Sequence, residues 1–324
     1  KNFKSSLIEV DLLIHIGEVS GDCYKIHPKG VVWRVSEDGA LRDTFRKLTN
    51  VFMMPEEIFF NYYSNDGENK ISYLEACQAE YQNILNQMPE IPFGNIWMAK
   101  QMASKLPPSC ELHMGIYNSL RSWNFFKLPE GIHSKCNVGG FGIDGGVSAM
   151  IGAALEKKEK LFVGVFGELA FFYDMNVAAN RHIGKNVRLM VVNNGRGTEF
   201  RNYDHPCYIF GEDADPYIAA AGHFGNKSFD LLKHYAIDLG YEYLSASNKE
   251  EFLKVVDRFL TPEITDKPMI LEAFTDTQDE SDALEVVMNY MVDSRYVVKN
   301  EMRNIAKNML GKRGVSLLKK VVAK

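Results

Sequence analysis

The chain has 324 residues, a length that suits two domains, or one large domain with part of another. Its 46% hydrophobic and 24% charged residues are the balance of a globular protein, and no apolar run is long enough to span a membrane. The net charge of −5 and the pI of about 6.0 argue against a nucleic-acid partner, and we expect a cytoplasmic protein.

Residues 1–63 contain short apolar runs but little helical pattern. Residues 11–17 and 31–36 predict buried strands, whereas a proline interrupts the apolar stretch 51–60. A parallel sheet needs helices on both faces, and this segment has too few residues to supply them. We therefore interpret residues 1–63 as the end of an α/β domain that begins elsewhere, followed by a polar linker at 64–70.

After the linker, the apolar pattern alternates between the periods of strands and helices. This alternation predicts an α/β fold over 71–285, with a parallel sheet and helices on both faces. Asn248 suits the N-cap of one helix, and Gly240 stands where the C-terminal cap of another belongs. The predicted helices are 71–87, 95–105, 171–183, 229–239 and 249–260, and the strands are 111–116, 160–166, 187–192, 241–244 and 268–273.

A basic and apolar segment closes the chain. Residues 286–324 predict a helical extension, and from residue 299 onward Lys and Arg alternate with apolar residues as in an amphipathic helix. The alternative is a helix that binds a membrane surface or a partner. The five cysteines are scattered without the spacing of a metal or redox motif, so we expect reduced thiols. They are Cys23, Cys77, Cys110, Cys136 and Cys207.

Three predicted strands end in residues that can bind a ligand. One ends at Asn118 and Ser119, the next at Glu168, and the third at Asn194. Ligands of parallel sheets bind beyond the carboxyl ends of the strands, and one right-handed crossover can place the last two strands side by side. The oxygens of Glu168 and Asn194 would then suit Mg²⁺, while the helix that starts after Glu168 suits a diphosphate.

This arrangement resembles the motif of thiamine-diphosphate-dependent enzymes. In that motif a strand ends in Gly-acid-Gly or Gly-acid-Leu, and some two dozen residues later a second strand ends in Asn-Asn. Here Gly167-Glu168-Leu169 is followed by residues 170–192 and then by Asn193-Asn194. The resemblance extends from about residue 70 to 280. It is greatest to the menaquinone-pathway 2-succinyl-5-enolpyruvyl-6-hydroxy-3-cyclohexene-1-carboxylate synthases, in the stretches YNSL (117–120), GIDG (142–145) and GELAFFYDMN (167–176).

The resemblance implies a set of site residues. Glu168, Asn194 and the carbonyl of Arg196 would bind Mg²⁺. Ile143 would bend the cofactor, Phe141 would contact its pyrimidine, and Phe200 would line the active site. Around the diphosphate, the resemblance implies Asn118, Ser119, Gly167, Leu169 and Ala170. It also implies the thiamine-diphosphate-binding fold for 71–285, and the end of a central domain for 1–63.

The implied activity is decarboxylation of a 2-oxo acid, with or without carbon–carbon ligation, by a lyase or transferase that uses thiamine diphosphate and Mg²⁺. The chain departs from the family in two places. Glu168 replaces the usual aspartate, so we expect metal binding that persists but is weakened. Trp123 and Val138 replace arginines that hold substrate carboxylates in the synthases, with Arg121 out of register, so we expect a different acceptor.

The family's general base is a glutamate on a separate pyrimidine-binding domain, and nothing in this chain resembles that domain. We therefore expect this chain to be a fragment, or one subunit of a split enzyme, that is inactive alone. The family's active sites lie between two chains, so we expect a homodimer, a homotetramer or a complex with a separate pyrimidine-binding subunit. The small-molecule substrate would be a 2-oxo acid.

Alternatives remain at each level. The protein could bind cofactor without catalysis or act as an assembly module, and GFGIDG (140–145) could be a dinucleotide fingerprint, although no apolar strand precedes it. Glu168 could be a first-turn acid that the helix dipole favours, and Asn193-Asn194-Gly195 could be a turn. His182 and His205 could be catalytic, but surface or core positions are the alternative for both.

Overall fold

The computed structural model describes residues 5–17, 28–64, 72–138, 140–217 and 228–291. They belong to two compact units, which we call the small unit (residues up to Pro89 and from Met288) and the large unit (Glu90–Val287). Apart from Ser64, the predicted linker lies outside the described residues, and so do residues 292–324 of the predicted extension and Cys23. The domain boundaries proposed from the sequence stay a prediction.

The small unit is built on a three-stranded parallel sheet. Both strands predicted from the sequence are present, but the first is mostly exposed or half-buried rather than buried. A third strand is present where the apolar run is interrupted. Pro55 stands at the N-cap of a helix, since its ring cannot continue the strand but suits the start of a helix. The elements are β1 (Leu12–Ile16), β2 (Val31–Val35), β3 (Leu48–Phe52), α1 (Glu56–Tyr63) and α2 (Ser72–Asn86).

The large unit contains a six-stranded sheet in the order β5-β4-β6-β7-β9-β8, and every pair in it is parallel. The predicted α/β fold is therefore confirmed. The strands are β4 (Glu111–Met114), β5 (His133–Cys136), β6 (Phe162–Gly167), β7 (Val187–Asn193), β8 (Glu242–Ala246) and β9 (Met269–Phe274). The helices are α3 (Asn95–Met102), α4 (Asn118–Trp123), α5 (Gly146–Glu156), α6 (Glu168–Asp174), α7 (Leu231–Asp238), α8 (Lys249–Phe259) and α9 (Thr277–Asn289).

Helices cover both faces of this sheet. On one face, α5, α6 and α7 share a core with Leu189 and Val191 of β7. On the other face, Arg188 of β7 donates to the carbonyl of Phe259 at the end of α8. The central strands are buried along their length, which explains why they read as continuous apolar runs in the sequence.

The predicted caps are also confirmed. The side chain of Asn248 accepts a hydrogen bond from the backbone N–H of Glu251, at 2.9 Å, and so satisfies one free donor in the first turn of α8. Gly240 follows α7 with a φ of +83°, a conformation in which a side chain would be strained.

Several elements differ from the sequence prediction. Strand β5 was not predicted because it is polar and mostly exposed at the sheet edge, and α5 was not predicted because glycine and alanine weaken its pattern. The crossover helix begins at Glu168 rather than at residue 171, and it gives way to a 3₁₀ segment, Met175–Ala179. A strand does precede GFGIDG, but residues 137–145 separate it from α5, unlike the tight turn of a dinucleotide fingerprint.

Within the described ranges, no helix is both long enough and apolar enough to cross a membrane. Of the cysteines in those ranges, Cys77, Cys110, Cys136 and Cys207 are free thiols, as the scattered spacing predicts.

Candidate functional site

Three neighbouring strands bring the predicted site residues to one edge of the sheet. Strand β6 lies between β4 and β7, and all three run in the same direction. Asn118 begins the helix after β4, Glu168 begins the helix after β6, and Asn194 directly follows β7. The adjacency of β6 and β7 that the crossover rule predicts is therefore confirmed.

Glu168 is a buried acid at the end of β6. Its exposure is 2%, and its Oε1 atom has no hydrogen-bond partner among the described residues. Burial raises the pKa of Glu168 to about 8, although the backbone N–H groups of Glu168 itself, Asn194 and Arg196 act in the opposite direction. A first-turn acid that only favours the helix dipole would be exposed and would have no raised pKa, so that alternative does not account for Glu168.

The turn after β7 faces this carboxylate. Gly195 has a φ of +79°, and the side-chain oxygen of Asn194 accepts from the backbone N–H of Arg196 at 3.4 Å. Asn193-Asn194-Gly195 therefore does form a turn, and this turn brings Asn194 and Arg196 to Glu168. The structure thus brings the backbone of Asn194 and Arg196, two of the residues predicted to bind the metal, to the carboxyl group of the third, Glu168.

These residues suit a hard divalent cation. A buried carboxylate oxygen without a partner, an amide oxygen and a backbone carbonyl are the ligand types that Mg²⁺ takes, with phosphate oxygens completing its shell. The described ranges contain no group of three His, Cys, Asp or Glu residues that could hold a metal. A metal site here would therefore depend on a single carboxylate and on oxygens from the cofactor.

The predicted diphosphate residues surround the start of α4 and α6. Ser119, Leu169 and Ala170 are buried, and Gly167 precedes α6 without a side-chain cap. Asn118 is already hydrogen-bonded through both ends of its amide. Its Nδ2 donates to Thr198, and its Oδ1 accepts from Arg121 at 2.9 Å and from Asn202 at 3.1 Å.

An ion pair joins the loops after β4 and β7. Arg121 donates two hydrogen bonds to the carboxylate of Glu199, at 2.8 and 2.9 Å. Since β6 separates β4 from β7, this pair connects the loops on either side of the strand that carries Glu168. Glu199 carries no signal in the sequence, because only the fold brings residues 78 positions apart into contact.

The residues predicted to contact the pyrimidine and to line the site lie in three different environments. Phe141 is exposed with a φ of +55°, and its carbonyl accepts from the hydroxyl of Tyr117 at 3.0 Å. Ile143 is half-buried and packs against the core that α5 shares. Phe200 packs edge-on against His205, with ring centroids 5.2 Å apart. Contacts of these residues with a cofactor stay a prediction.

The positions that depart from the synthases also differ in environment. Trp123 is buried, with 2% exposure, and its indole N–H has no partner among the described residues, whereas Val138 is exposed. A buried indole cannot hold a carboxylate as an exposed arginine would. His182 is exposed, as its surface alternative predicts, and His205 accepts from the backbone N–H of Cys207.

Two buried acids near the site were missed. Glu272 on β9 has 1% exposure and accepts hydrogen bonds from Asn193 at 2.8 Å and from Tyr243 at 2.7 Å. Burial raises its pKa, and those hydrogen bonds oppose the increase. Glu280 is also buried, and burial raises its pKa to about 7. The sequence does contain a signal for Glu272, because it is an acid within the apolar strand sequence MILEAF. A charge buried in such a strand needs hydrogen-bond partners.

No family model matches this chain. The curated relatives include the proteins named 2-succinyl-5-enolpyruvyl-6-hydroxy-3-cyclohexene-1-carboxylate synthase from Phocaeicola vulgatus, 28% identical over 258 residues, and from Bacteroides fragilis, 29% identical over 262 residues. Each match covers 80% of this chain but only 44% or 45% of the relative.

A third relative of the same name, from Christiangramia forsetii, is 29% identical over 63% of this chain and 33% of its own length. The chain therefore spans less than half of the length of the curated relatives it matches. The resemblance predicted from the sequence motifs is confirmed by these relatives, since proteins similar over four fifths of this chain carry the name of that synthase.

Proposed function

We propose that this chain supplies the diphosphate- and metal-binding half of a thiamine-diphosphate-dependent enzyme that acts on a 2-oxo acid. The observation that carries the proposal is the buried carboxylate of Glu168, whose Oε1 has no hydrogen-bond partner in the described part of the chain and which faces the turn at Asn194 and Arg196. An isolated buried carboxylate is unfavourable unless a cation or donors compensate it. A divalent cation with a diphosphate would provide that compensation.

Each residue has a specific role in this proposal. Glu168, the side chain of Asn194 and the carbonyl of Arg196 would hold Mg²⁺, and the start of α4 at Asn118 and Ser119 would face the diphosphate. The cofactor, when bound, supplies the carbanion chemistry that decarboxylates a 2-oxo acid and can join the remaining fragment to an acceptor. The burial of Glu168 would exclude water from the metal and strengthen its electrostatic contacts.

Isothermal titration calorimetry with thiamine diphosphate, in the presence of Mg²⁺ or of a chelator, tests this proposal. We expect Mg²⁺-dependent binding that Glu168→Ala and Asn194→Ala each reduce by at least about a hundredfold, because each removes a direct ligand. Glu250→Gln, on the exposed surface of α8, is the matched control and should bind as the parent chain does. Binding that does not depend on Mg²⁺, or that survives both substitutions, would contradict the assignment.

In the enzymes that this chain resembles, a pyrimidine-binding domain also contacts the cofactor, so the titration needs a second arm. A pyrimidine-binding domain from one of the synthases should be added at a saturating concentration. If no binding appears even then, the enzyme proposal is wrong and the chain is a relative of the fold without its cofactor.

The acceptor is proposed to differ from that of the synthases. Trp123 is buried and Val138 is apolar where arginines would hold substrate carboxylates. A comparison of turnover with an acceptor that carries a carboxylate and with one that lacks it, after reconstitution with the missing half, tests this specificity. A preference for the carboxylated acceptor would contradict it.

A non-catalytic cofactor-binding or assembly module is the second candidate, and the same observation at Trp123 favours it. The two candidates agree on Mg²⁺-dependent binding but differ on chemistry. Release of carbon dioxide from pyruvate or 2-oxoglutarate by the reconstituted protein would support the enzyme, whereas tight cofactor binding without any release would support the module.

A further inference from the structure

Three side chains form a hydrogen-bonded chain that runs across the sheet toward the candidate metal site. The hydroxyl of Tyr243 on β8 donates to Oε2 of Glu272 on β9, at 2.7 Å. Oε1 of Glu272 accepts from Nδ2 of Asn193 at the end of β7, at 2.8 Å. Oδ1 of Asn193 then accepts from the backbone N–H of Gly195, at 3.3 Å. The three strands are adjacent, so these contacts cross two strand pairs.

The direction of each hydrogen bond follows from the chemistry of the groups. Oε1 of Glu272 accepts from the Asn193 amide, and only the NH₂ end of an amide can donate. The oxygen end of that amide then has to point along the chain, where the N–H of Gly195 is the donor that meets it. An amide turned the other way would place two donors face to face at Gly195 and two acceptors face to face at Glu272.

The end of this chain of contacts is the turn that carries the candidate metal ligands. Gly195 lies at the bend of the turn, with a φ of +79°. The backbone conformation of Gly195 therefore sets the orientation of its neighbours Asn194 and Arg196. The backbone N–H groups of both neighbours face the carboxylate of Glu168. Two further contacts secure the same turn, from Thr275 N–H to the carbonyl of Asn193 at 2.9 Å and from the Thr277 hydroxyl to the carbonyl of Asn194 at 3.4 Å.

We propose that Tyr243, Glu272 and Asn193 are positioning residues that hold the Asn194–Arg196 turn in the geometry needed to bind a divalent cation with Glu168. The proposal rests on the function proposed above, and it adds residues that do not touch the metal. Packing alone does not explain a carboxylate with 1% exposure among apolar side chains, since an apolar residue of similar size would fill that place at lower cost. Residues that orient metal ligands typically change metal affinity about 10- to 100-fold when they are removed.

Four single variants of the full chain test this proposal. Tyr243→Phe removes one donor and keeps the ring, and Glu272→Leu removes both acceptors. Glu272→Gln is the conservative variant, because its oxygen can still accept from Asn193 and its NH₂ group can donate to the oxygen of Tyr243. Tyr241→Phe is the matched control, since the buried hydroxyl of Tyr241 donates instead to the carbonyl of Ala178, at 2.9 Å.

The first measurement is the affinity for Mn²⁺ in the presence of thiamine diphosphate. Electron paramagnetic resonance monitors the binding. We expect Glu272→Leu and Tyr243→Phe to weaken Mn²⁺ binding about tenfold or more, while Glu272→Gln and Tyr241→Phe stay within about threefold of the parent chain. Equal Mn²⁺ affinity in the parent, Tyr243→Phe and Glu272→Leu would overturn the proposal. If Glu272→Leu does not fold, the difference in Mn²⁺ affinity between Tyr243→Phe and Tyr241→Phe still tests the proposal.

The second measurement separates this proposal from the proposed function. Hydrogen exchange of the Gly195 amide, followed by NMR without metal or cofactor, should be at least about tenfold faster in Tyr243→Phe than in the parent or in Tyr241→Phe. If the parent chain fails to bind Mn²⁺ even after a pyrimidine-binding domain is added, the proposed function is contradicted, and the role of these residues in holding the turn is then judged by this exchange rate alone. An unchanged rate in Tyr243→Phe and Glu272→Leu would overturn it.

Discussion

Glu168 combines two properties that depend on each other: it is buried at the end of a strand, and its carboxyl pKa is raised to about 8. The cause is removal of the carboxylate from water, which backbone N–H groups only partly offset. In the absence of metal the folded chain therefore keeps this group largely protonated near neutral pH. Binding of a cation would release that proton, since the carboxylate is the form that binds metal.

The raised pKa predicts how stability depends on pH. The folded-state pKa of Glu168 lies above its ordinary value of 4.5, so the folded chain holds a proton that the unfolded chain has lost. The contribution of this group is fully present below the ordinary pKa and is lost as pH rises toward about 8, with a slope of about 1.4 kcal/mol per pH unit. We expect Glu168→Gln to remove this slope from the metal-free chain.

Urea denaturation of the parent chain and of Glu168→Gln, at several pH values between about 5 and about 9, measures the effect. The difference between the two chains is the informative quantity, because Glu280 also titrates in this range, with a pKa of about 7. Parallel curves for parent and variant would contradict the raised pKa of Glu168.

The length of the acidic side chain gives a second prediction. The motif that this chain resembles usually has aspartate at the position of Glu168, and Mg²⁺ tolerates errors in ligand distance poorly. We expect Glu168→Asp to bind Mg²⁺ and thiamine diphosphate about tenfold more tightly than the parent, which corresponds to about 1.4 kcal/mol. Calorimetry under the conditions used for Glu168→Ala checks this, and a Glu168→Asp chain that binds no better would show that the extra methylene causes no strain.

At the scale of elements, Arg188 ties β7 to the end of α8. It is fully buried and donates to the carbonyls of Phe259 at 2.8 Å and Glu263 at 2.6 Å, and to the carbonyl of Thr261. Burial lowers its pKa to about 10, so it stays charged at neutral pH. The last carbonyls of a helix lack partners within the helix, and Arg188 satisfies that of Phe259 in α8. Its other two hydrogen bonds hold the segment just after the helix.

We expect Arg188→Met to destabilise the chain by about 3–5 kcal/mol, because it removes three hydrogen bonds from a charged donor and leaves the buried carbonyl of Phe259 without a partner. The matched control is Arg258→Met on α8, whose ion pair with Glu242 lies at the surface. Exposed pairs of this kind are worth under about 1 kcal/mol. Denaturant unfolding of both variants makes the comparison, and similar losses in the two would rule out a special role for Arg188.

The elements also differ in how far the sequence predicted them. Strands β6, β7 and β9 were found because their buried residues are almost continuously apolar, and α8 because its apolar residues recur on one face. Strand β5 was missed because an edge strand needs no apolar run. Its side chains are mostly exposed, so its pairing with β4 leaves no pattern in the sequence.

At the scale of the whole molecule, we expect the chain to depend on a partner. The resemblance implies a general base on a separate pyrimidine-binding domain and active sites between two chains. The matches cover 44% or 45% of the first two relatives. We expect a homodimer or homotetramer, or a complex with a separate pyrimidine-binding subunit, and no turnover by this chain alone. Sedimentation velocity at micromolar concentration, with and without that subunit, measures the assembly. A chain that stays monomeric in both would contradict this expectation.

The sequence by itself determined the fold class and the local candidates of the site. A polar residue directly after an apolar run marks the end of a strand, and this local signal was enough to select Asn118, Glu168 and Asn194. A single crossover allows two consecutive strands to lie side by side, and the structure does pair β6 with β7.

Only the tertiary structure decided the environment of those residues. Three properties of Glu168 depend on chain segments far away in sequence. They are its burial, the lack of a hydrogen-bond partner for its Oε1 among the described residues, and its contact with the turn after β7. The same is true of Glu272, which in the sequence is one acid in an apolar strand and in the fold is the link between Tyr243 and Asn193. Desolvation and hydrogen bonding act through space, so the pKa and the partners of a buried group follow from what packs around it and not from its neighbours along the chain.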